Sequence, residues 1–379
     1  MFEKTKAFCD TFLELGAPSF DLSVYRDGKP ILRYMGGYSD LENKIPVRGD
    51  ERYNIYSCSK AFTCVAAMQL WERGLFKLED KLSDYMPEFS EMSVMTDEGV
   101  KKAEKPILIK HLFEMTAGFD YASSAPEIKE AFTATDGRCP TREVMRCLAK
   151  KPLSFEPGER WQYSLCHDVL AALVEVLSGE KFEDYAKKHI FDVAGMSRTT
   201  FMLPPEELDT LAQQYKFVDG KPINVGKNIV SYKFGTEYAS GGAGGISTVD
   251  DYVKFLEALR THKLLKPETL TLMTTDRLTD SQKRTYWRVG QHGYGLGLRC
   301  HKEGGLLKDF GWGGAAGAYL AVDMENGISM YFAMHLLSSP TQGIRNMLYR
   351  FVRAELFDEN DFVRINEDLK ELYNYDLTY

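Results

Sequence analysis

A serine and a lysine three residues apart form the pair in this sequence best suited to nucleophilic chemistry. Ser57 and Lys60 lie in the run Tyr-Ser-Cys-Ser-Lys-Ala-Phe, where a strand-like stretch, 53–56, leads into a long apolar helix. Residues three apart on a helix share a face, with Cβ atoms about 5–6 Å apart. Unpaired N–H groups at a helix start favour negative charge, and burial of a lysine favours the neutral amine that can act as a base. A serine hydroxyl needs such a neighbour because it is a poor nucleophile by itself.

The same spacing also has a purely structural interpretation, which the motif alone leaves open. Ser-x-x-Lys is a short pattern, and it recurs at Ser178 and Lys181, where an apolar helical stretch and Gly179 predict a helix end and a turn. Ser57 could likewise be a helix N-cap, a usual role for serine at the start of a helix. The choice between nucleophile and cap therefore depends on the rest of the chain.

The elements that must position this pair include strands near both ends of the chain. Runs at 21–26 and 31–35 flank Asp27-Gly28, and runs at 317–323 and 328–335 flank a turn with Asn326-Gly327, so each pair predicts a β-hairpin. Helices are expected over about 2–15 and over 342–357, where apolar residues recur on one face. The pattern favours an α+β fold, with one antiparallel sheet built from both termini and flanked by helices.

The middle of the chain has a mostly helical pattern. Its segments 109–115, 127–133, 142–150 and 168–177 show helical spacing, broken by Gly and Pro. We therefore predict a discontinuous sheet domain, 1–74 and 239–379, with a mostly helical subdomain, 75–238, inserted between its halves. The length of 379 residues fits two domains or one domain with a large insertion.

Composition argues against several other classes of protein. The net charge is -8 and no Lys/Arg block occurs, so a nucleic-acid partner is not expected. No apolar run reaches about 18 residues and no signal-peptide core is present, so neither a membrane span nor export is expected. The seven scattered cysteines favour reduced thiols and a cytoplasmic location. No Cys or His pair has zinc-like spacing, and we expect no metal and no cofactor.

Several further motifs follow the serine motif along the chain. Ser57-Cys58-Ser59-Lys60 is followed by a helix and loop at 110–119, a Phe-Glu-Pro-Gly-Glu-Arg-Trp-Gln-Tyr-Ser run at 155–164, a glycine-rich segment at 241–248, a strand at 294–298 and Phe-Gly-Trp-Gly-Gly-Ala-Ala-Gly at 310–317. In this order the chain resembles the serine β-lactamase and penicillin-binding-protein superfamily, and above all class C β-lactamases with their esterase and D-amino-acid-peptidase relatives. The resemblance implies the β-lactamase/transpeptidase-like fold.

The resemblance also implies a role for Tyr163, the tyrosine of the second motif. Its phenol would complete a proton relay with Lys60, taking the proton of Ser57 and passing it to the leaving group. Which of Lys60 and Tyr163 is the main base stays open, because coupled groups can share that role. Judged by itself, Tyr163 could also be a buried tyrosine with a single hydrogen bond.

The third motif, Trp312-Gly313-Gly314, should lie on a strand edge beside the site. By the resemblance, the backbone N–H groups of Ser57 and Ala315 would form an oxyanion hole. The two glycines would let an acyl group approach the backbone closely. A glycine-rich bulge without function is the alternative.

Two residues depart from the β-lactamase pattern. Trp312 stands where those enzymes have a lysine, which removes a cation suited to a substrate carboxylate. Leu165 stands where they usually have an asparagine. Both changes make the pocket less polar, and a tryptophan in this place resembles the esterase branch. His167, one helical turn from Tyr163, could face the pocket, although a histidine on the helix surface is the commoner outcome.

We therefore expect a serine hydrolase that acts on a small ester, amide or lactam through an acyl-enzyme on Ser57. Esterase, β-lactamase and D-aminopeptidase activities stay open, as does the oligomeric state. A different class also stays open, a non-catalytic binding or sensor module on the same fold. An intact set of Ser57, Lys60 and Tyr163 argues against it.

Overall fold

An eight-stranded antiparallel sheet joins the two ends of the chain in the computed structural model, which describes residues 1–227, 232–287, 292–302 and 308–375. The strands of the described residues are β1 (Ser19–Arg26), β2 (Lys29–Asp40), β3 (Ile45–Pro46), β4 (Tyr53–Asn54), β5 (Ser93–Thr96), β6 (Gly99–Lys102), β7 (Gln214–Val218), β8 (Lys221–Gly226), β9 (Ile246–Ser247), β10 (Gly293–Tyr294), β11 (Arg299–Cys300), β12 (Phe310–Gly313), β13 (Tyr319–Asp323), β14 (Ile328–Ala333) and β15 (Leu336–Leu337). The order in the sheet is β10-β11-β12-β13-β14-β1-β2-β3, so the first and last strands of the chain meet at the β14–β1 pair.

Both predicted hairpins are confirmed. Asp27 and Gly28 join β1 to β2 with positive φ angles of 49° and 79°, as a tight two-residue turn requires. Asn326 and Gly327 lie in the turn between β13 and β14. The α+β fold with one antiparallel sheet built from both termini is also confirmed.

Helices cover both faces of this sheet. Those of the described residues are α1 (Glu3–Glu14), α2 (Ser59–Glu72), α3 (Ile109–Phe113), α4 (Pro126–Ala134), α5 (Thr141–Leu148), α6 (Cys166–Ser178), α7 (Phe182–Ala186), α8 (Asp192–Ala194), α9 (Val249–Arg260), α10 (Pro267–Met273), α11 (Asp280–Lys283), α12 (Leu348–Phe357) and α13 (Asp361–Tyr373). Along β14, Met330 and Phe332 belong to the core beneath α1 and α12, whereas Tyr331 and Ala333 belong to the core beneath α2 and α9. This alternation is the two-residue period of a strand buried on both faces.

The C-terminal helix begins later than the sequence predicts. The predicted 342–357 helix is α12 only from Leu348 onward, and two short 3₁₀ turns, Pro340–Gln342 and Ile344–Met347, precede it. Pro340 can occupy the first position of a helical turn but cannot continue one, and Gly343 separates the two turns. The predicted apolar face is still buried, with Phe351 stacked on Phe8 of α1 at 4.2 Å between ring centroids.

The middle of the chain contains the predicted helices and two hairpins that we did not predict. The helical segments correspond to α3, α4, α5 and α6, while β5–β6 and β7–β8 are additional antiparallel pairs. β7 also pairs in parallel with β15, so the central segment shares a small sheet with the C-terminal part of the chain. The division into a sheet domain, 1–74 and 239–379, and an inserted subdomain, 75–238, stays a prediction. Residues 228–231, 288–291, 303–307 and 376–379 of these ranges lie outside the part of the chain that the structure describes.

A buried histidine connects three of these segments near the start of α2. The Nε2 atom of His335 accepts a hydrogen bond from the Asn54 backbone N–H at 3.2 Å, and its Nδ1 lies 3.1 Å from the Ala212 carbonyl oxygen. The neutral imidazole protonated at Nδ1 satisfies both contacts, because a carbonyl can only accept. The side chain is fully buried, and burial lowers the pKa of His335 to about 4.

We therefore predict that acid destabilises the protein through His335. A histidine whose folded-state pKa lies below its unfolded value of 6.5 contributes stability above that value, and the contribution is lost as the pH falls toward 4. This shift corresponds to at most about 3.5 kcal/mol. His335→Gln should lower stability at pH 7.5 and flatten its decline between pH 6.5 and 4, measured by urea unfolding. An unchanged decline would contradict this assignment.

Candidate active site

Ser57 lies on a strained turn between a short strand and a long buried helix. After β4, Tyr56 has a φ of 48°, and the 3₁₀ turn Tyr56–Cys58 leads directly into α2. A left-handed conformation costs a non-glycine residue about 1–2 kcal/mol, so the surroundings must impose it. The Ser59 hydroxyl does so in part, because it donates to the Tyr56 carbonyl at 2.5 Å and accepts from the Gly245 N–H at 2.9 Å. The predicted placement of Ser57 at the start of the helix is therefore correct.

Lys60 lies fully buried on the same side of α2 as Ser57. Its Nζ is 3.3 Å from Ser57 Oγ, 3.3 Å from the Tyr121 hydroxyl and 2.7 Å from the Gly242 carbonyl oxygen. Because a carbonyl can only accept, one N–H of the amine must point toward Gly242. The two hydroxyls, which can donate or accept, occupy the other directions of the nitrogen. The amine is thus held against the serine in either protonation state.

Tyr163 reaches the same hydroxyl from a distant part of the chain. Its phenolic oxygen is 2.5 Å from Ser57 Oγ, and its ring centroid is 4.5 Å from Lys60 Nζ. Trp312 Nε1 donates to the Tyr163 oxygen at 3.4 Å. Ser57, Lys60 and Tyr163 therefore meet within hydrogen-bonding distance, while the roles assigned to them stay predictions.

A buried carboxylate lies behind the lysine, and sequence reasoning missed it. Asp168, in the first turn of α6, is fully buried and accepts hydrogen bonds from Tyr238 at 2.8 Å and Ser240 at 2.7 Å. Burial raises the pKa of Asp168, whereas the hydrogen bonds and the Lys60 charge oppose that rise. Ser240 lies two residues before Gly242, so Asp168 anchors the loop that holds the amine. The available signal was a single acidic residue directly before the apolar run Val-Leu-Ala-Ala-Leu-Val.

The third motif also lies beside Ser57, and its glycines accommodate the protein itself. A Cβ at Gly314 would overlap the Ile55 carbonyl oxygen, and a Cβ at Gly313 would stand 2.7 Å from an Arg345 guanidinium nitrogen. On these sides the glycines allow close packing of the chain, and the expected access for an acyl group stays a prediction. β12 is thereby fixed against the turn that carries the nucleophile.

His167 and Leu165 are both buried, at 0% and 1% exposure. The expectation that His167 lies on a helix surface is wrong, because its side chain is packed in the interior against Gly297. A Cβ atom added to Gly297 would lie only 2.8 Å from His167 Nε2. Among the described residues neither of its ring nitrogens has a hydrogen-bond partner, and burial keeps the pKa of His167 well below 6.5. Neither side chain is open to solvent, so a pocket role for them stays a prediction.

Aromatic rings form one wall of the site. The Tyr163 ring is stacked on Tyr121 at 5.4 Å and on Trp312 at 6.0 Å between centroids. Trp287 packs against Tyr163 at 5.0 Å and against Trp161 at 4.9 Å, yet 59% of its surface is exposed. An uncovered indole beside the candidate nucleophile offers apolar surface to a ligand.

Other kinds of site are not found in the described part of the chain. No three His, Cys, Asp or Glu side chains there are grouped closely enough to bind a metal ion. All seven cysteines are free and buried. Within the same ranges no helix is long and apolar enough to span a bilayer.

Comparison with known proteins agrees with this geometry. The chain is 28% identical over 355 residues to protein Rv1367c of Mycobacterium tuberculosis, covering 86% of this chain and 87% of that protein. It is 27% identical over 365 residues to esterase EstB of Burkholderia gladioli, covering 86% and 89%. The structure of EstCE1, described as a hydrolase with promiscuous acyltransferase activity, superimposes with a TM-score of 0.74 at 25% identity, covering 92% and 98%. The sequence model of the beta-lactamase family matches residues 6–354, and the chain therefore belongs to that family.

Proposed function

We propose that this protein is a serine hydrolase that cleaves an ester or amide through an acyl-enzyme on Ser57. The observation that carries the proposal is the position of Ser57 Oγ, 2.5 Å from the Tyr163 hydroxyl and 3.3 Å from Lys60 Nζ. Membership of the beta-lactamase family and the similarity to esterase EstB support it. The structural N-cap interpretation of Ser57 is disfavoured, because the start of α2 shows no side-chain cap.

In this mechanism, Ser57 Oγ attacks the substrate carbonyl carbon as its proton leaves along the contacts to Tyr163 and Lys60. Phenol and amine act as one coupled unit, which returns the proton to the departing alcohol or amine. The backbone N–H groups of Ser57 and Ala315 stabilise the oxyanion. A water molecule then attacks the acyl-enzyme, with the same pair as base, and releases the acid.

The pocket favours a neutral substrate of low polarity. Trp312 places an indole where a lysine would bind a carboxylate, and Trp287 adds exposed aromatic surface. Lys60 is buried and already has three contacts, so it is poorly placed to bind a substrate anion. We therefore favour a small ester or amide over efficient β-lactam turnover.

Acyl transfer to an alcohol is a second candidate, because EstCE1 is described as having promiscuous acyltransferase activity. The first half of the reaction would be identical, with an alcohol replacing water as the acceptor of the acyl group. Adding an alcohol to the hydrolysis assay and measuring the new ester by mass spectrometry separates the two outcomes.

One prediction of this proposal concerns the nucleophile. A fluorophosphonate probe should phosphonylate Ser57 with release of fluoride, and Ser57→Ala should abolish both labelling and p-nitrophenyl ester hydrolysis. Lys60→Met and Tyr163→Phe should each lower kcat by about 10²-fold or more, since general-base catalysis contributes roughly 10²–10⁴. Intact-mass spectrometry and initial rates measure these effects.

The second Ser-x-x-Lys copy supplies a matched control. Ser178→Ala removes a hydroxyl that donates to the Val174 carbonyl at 2.6 Å at the end of α6, so labelling and kcat should not change. Undiminished labelling of Ser57→Ala would refute the nucleophile assignment. Tight ligand binding without turnover of esters, amides or lactams would instead favour a non-catalytic module.

Another prediction of this proposal concerns the exposed indole of Trp287. Trp287→Ala should lower kcat/KM about 3–10-fold for an aromatic ester relative to an aliphatic one, because a single aromatic contact contributes about 0.5–1.5 kcal/mol. Trp287→Phe should retain most of the preference. Phe132→Ala, which removes an aromatic ring that is 53% exposed on α4, serves as the control. Equal losses for both esters would argue against an aromatic contact with substrate.

A further inference from the structure

A buried arginine from the C-terminal segment binds the backbone of the third motif. Arg345 lies in the 3₁₀ turn Ile344–Met347 and is 3% exposed. Its Nη1 donates to the Gly314 carbonyl oxygen at 2.6 Å, and its Nη2 occupies the space beside Gly313. The guanidinium is therefore placed against the peptide group that joins Gly314 to Ala315.

The turn after β12 is held by hydrogen bonds on several sides. The Gly314 carbonyl also accepts from the Gly317 N–H at 3.1 Å, and the Gly314 N–H donates to the Ala318 carbonyl at 2.7 Å. The Ala316 carbonyl accepts from the Leu336 N–H at 3.0 Å. In contrast, the Ala315 N–H donates to no acceptor among the residues that the structure describes. That donor remains available to a ligand.

We propose that Arg345 is a positioning residue that orients the Ala315 N–H as an oxyanion donor. In a planar trans peptide the C=O and the following N–H point in opposite directions. A guanidinium that holds the Gly314 oxygen on one side therefore turns the Ala315 N–H to the other side, away from Arg345. The inference rests on the proposed function, in which Ala315 contributes to the oxyanion hole.

The cation also strengthens the donor that it orients. A hydrogen bond to the carbonyl oxygen of a peptide polarises the same peptide and makes its N–H a better donor, by roughly 10–30% per bond. A charged donor has a larger effect than a neutral one. Because oxyanion stabilisation depends on dipoles fixed before the reaction, both orientation and polarisation raise kcat more than substrate affinity.

The test compares Arg345→Lys and Arg345→Met with a matched variant of another buried arginine. Arg350, on the neighbouring α12, is 8% exposed and pairs with Asp361 at 3.2 Å, so Arg350→Met should lower the Tm and leave kcat unchanged. Arg345→Met should lower kcat by about 10–10²-fold. This is a smaller loss than the roughly 10²–10³-fold decrease in kcat that follows removal of an oxyanion donor itself. KM should change less than about twofold, since the contact acts on the transition state.

A transition-state analogue separates positioning from packing. Affinity for a trifluoromethyl ketone, whose adduct with Ser57 carries an oxyanion, should fall by the same factor as kcat/KM in both Arg345 variants. Affinity for a non-hydrolysable ether analogue should not change. Arg345→Lys keeps the charge and most of the volume, so it allows the test if the Met variant does not fold.

The results that would overturn part of the scheme can be told apart. A lower Tm with unchanged kcat in the Arg345 variants would make Arg345 a packing residue. A raised KM with unchanged kcat would place it in contact with substrate. Turnover by Ser57→Ala would refute the proposed function itself. Turnover that requires Ser57 but has the same kcat in the Arg345 variants would refute only this inference.

Discussion

The arrangement of the site depends on one constraint, the burial of the Lys60 amine against the Ser57 hydroxyl. An amine removed from water must have polar partners inside the protein, or its burial would cost several kcal/mol. The Gly242 carbonyl and the Tyr121 hydroxyl meet that need. Both come from segments distant from α2, so the lysine determines where those segments must lie.

The constraint extends outward through the loop that carries Gly242. Asp168 accepts hydrogen bonds from Tyr238 and Ser240, which fixes this loop on the first turn of α6. The segment that carries Tyr163 leads directly into the same helix. This anchored part of the chain therefore positions the Tyr163 phenol and also supports the Gly242 carbonyl that accepts a hydrogen bond from Lys60. A buried acid close to a buried lysine also offsets part of the cost of either charge.

The sequence predicted the features that depend on local spacing. Ser57 and Lys60 share a helix face because they are three residues apart, and the Asp27-Gly28 and Asn326-Gly327 turns specify their hairpins through backbone conformation. Tyr163 was found only through the resemblance, because its partner is 106 residues away along the chain. The β7–β8 hairpin has the same kind of turn, Asp219-Gly220 with φ angles of 49° and 79°, so that signal was present and we missed it. Its pairing with β15, in contrast, depends on a contact far along the chain.

Residues that act through backbone atoms were the hardest to predict. Gly242 contributes a carbonyl oxygen, an atom that every residue type has, and the proposed role of the Ala315 N–H was reached only through the resemblance. His167 was misplaced for a related reason: helical periodicity places a residue on a face, but residues 166–174 of α6 are all buried, so the first part of this helix has no surface position. Side-chain identity therefore predicts the reactive groups better than the groups that hold them.

The two halves of the site are supported by different parts of the chain. The proposed proton-transfer half, Lys60 and Tyr163, depends on α2, α6 and the 239–245 loop, all tied together by buried hydrogen bonds. The proposed oxyanion half depends on the turn after β12, which Arg345 contacts from the C-terminal segment. Gly314 joins the halves, since the absence of a side chain lets that turn lie against Ile55, two residues before Ser57. The proposed nucleophile thus lies where both halves meet, and a shift of either half would separate the Ser57 oxygen from the groups that we propose act on it.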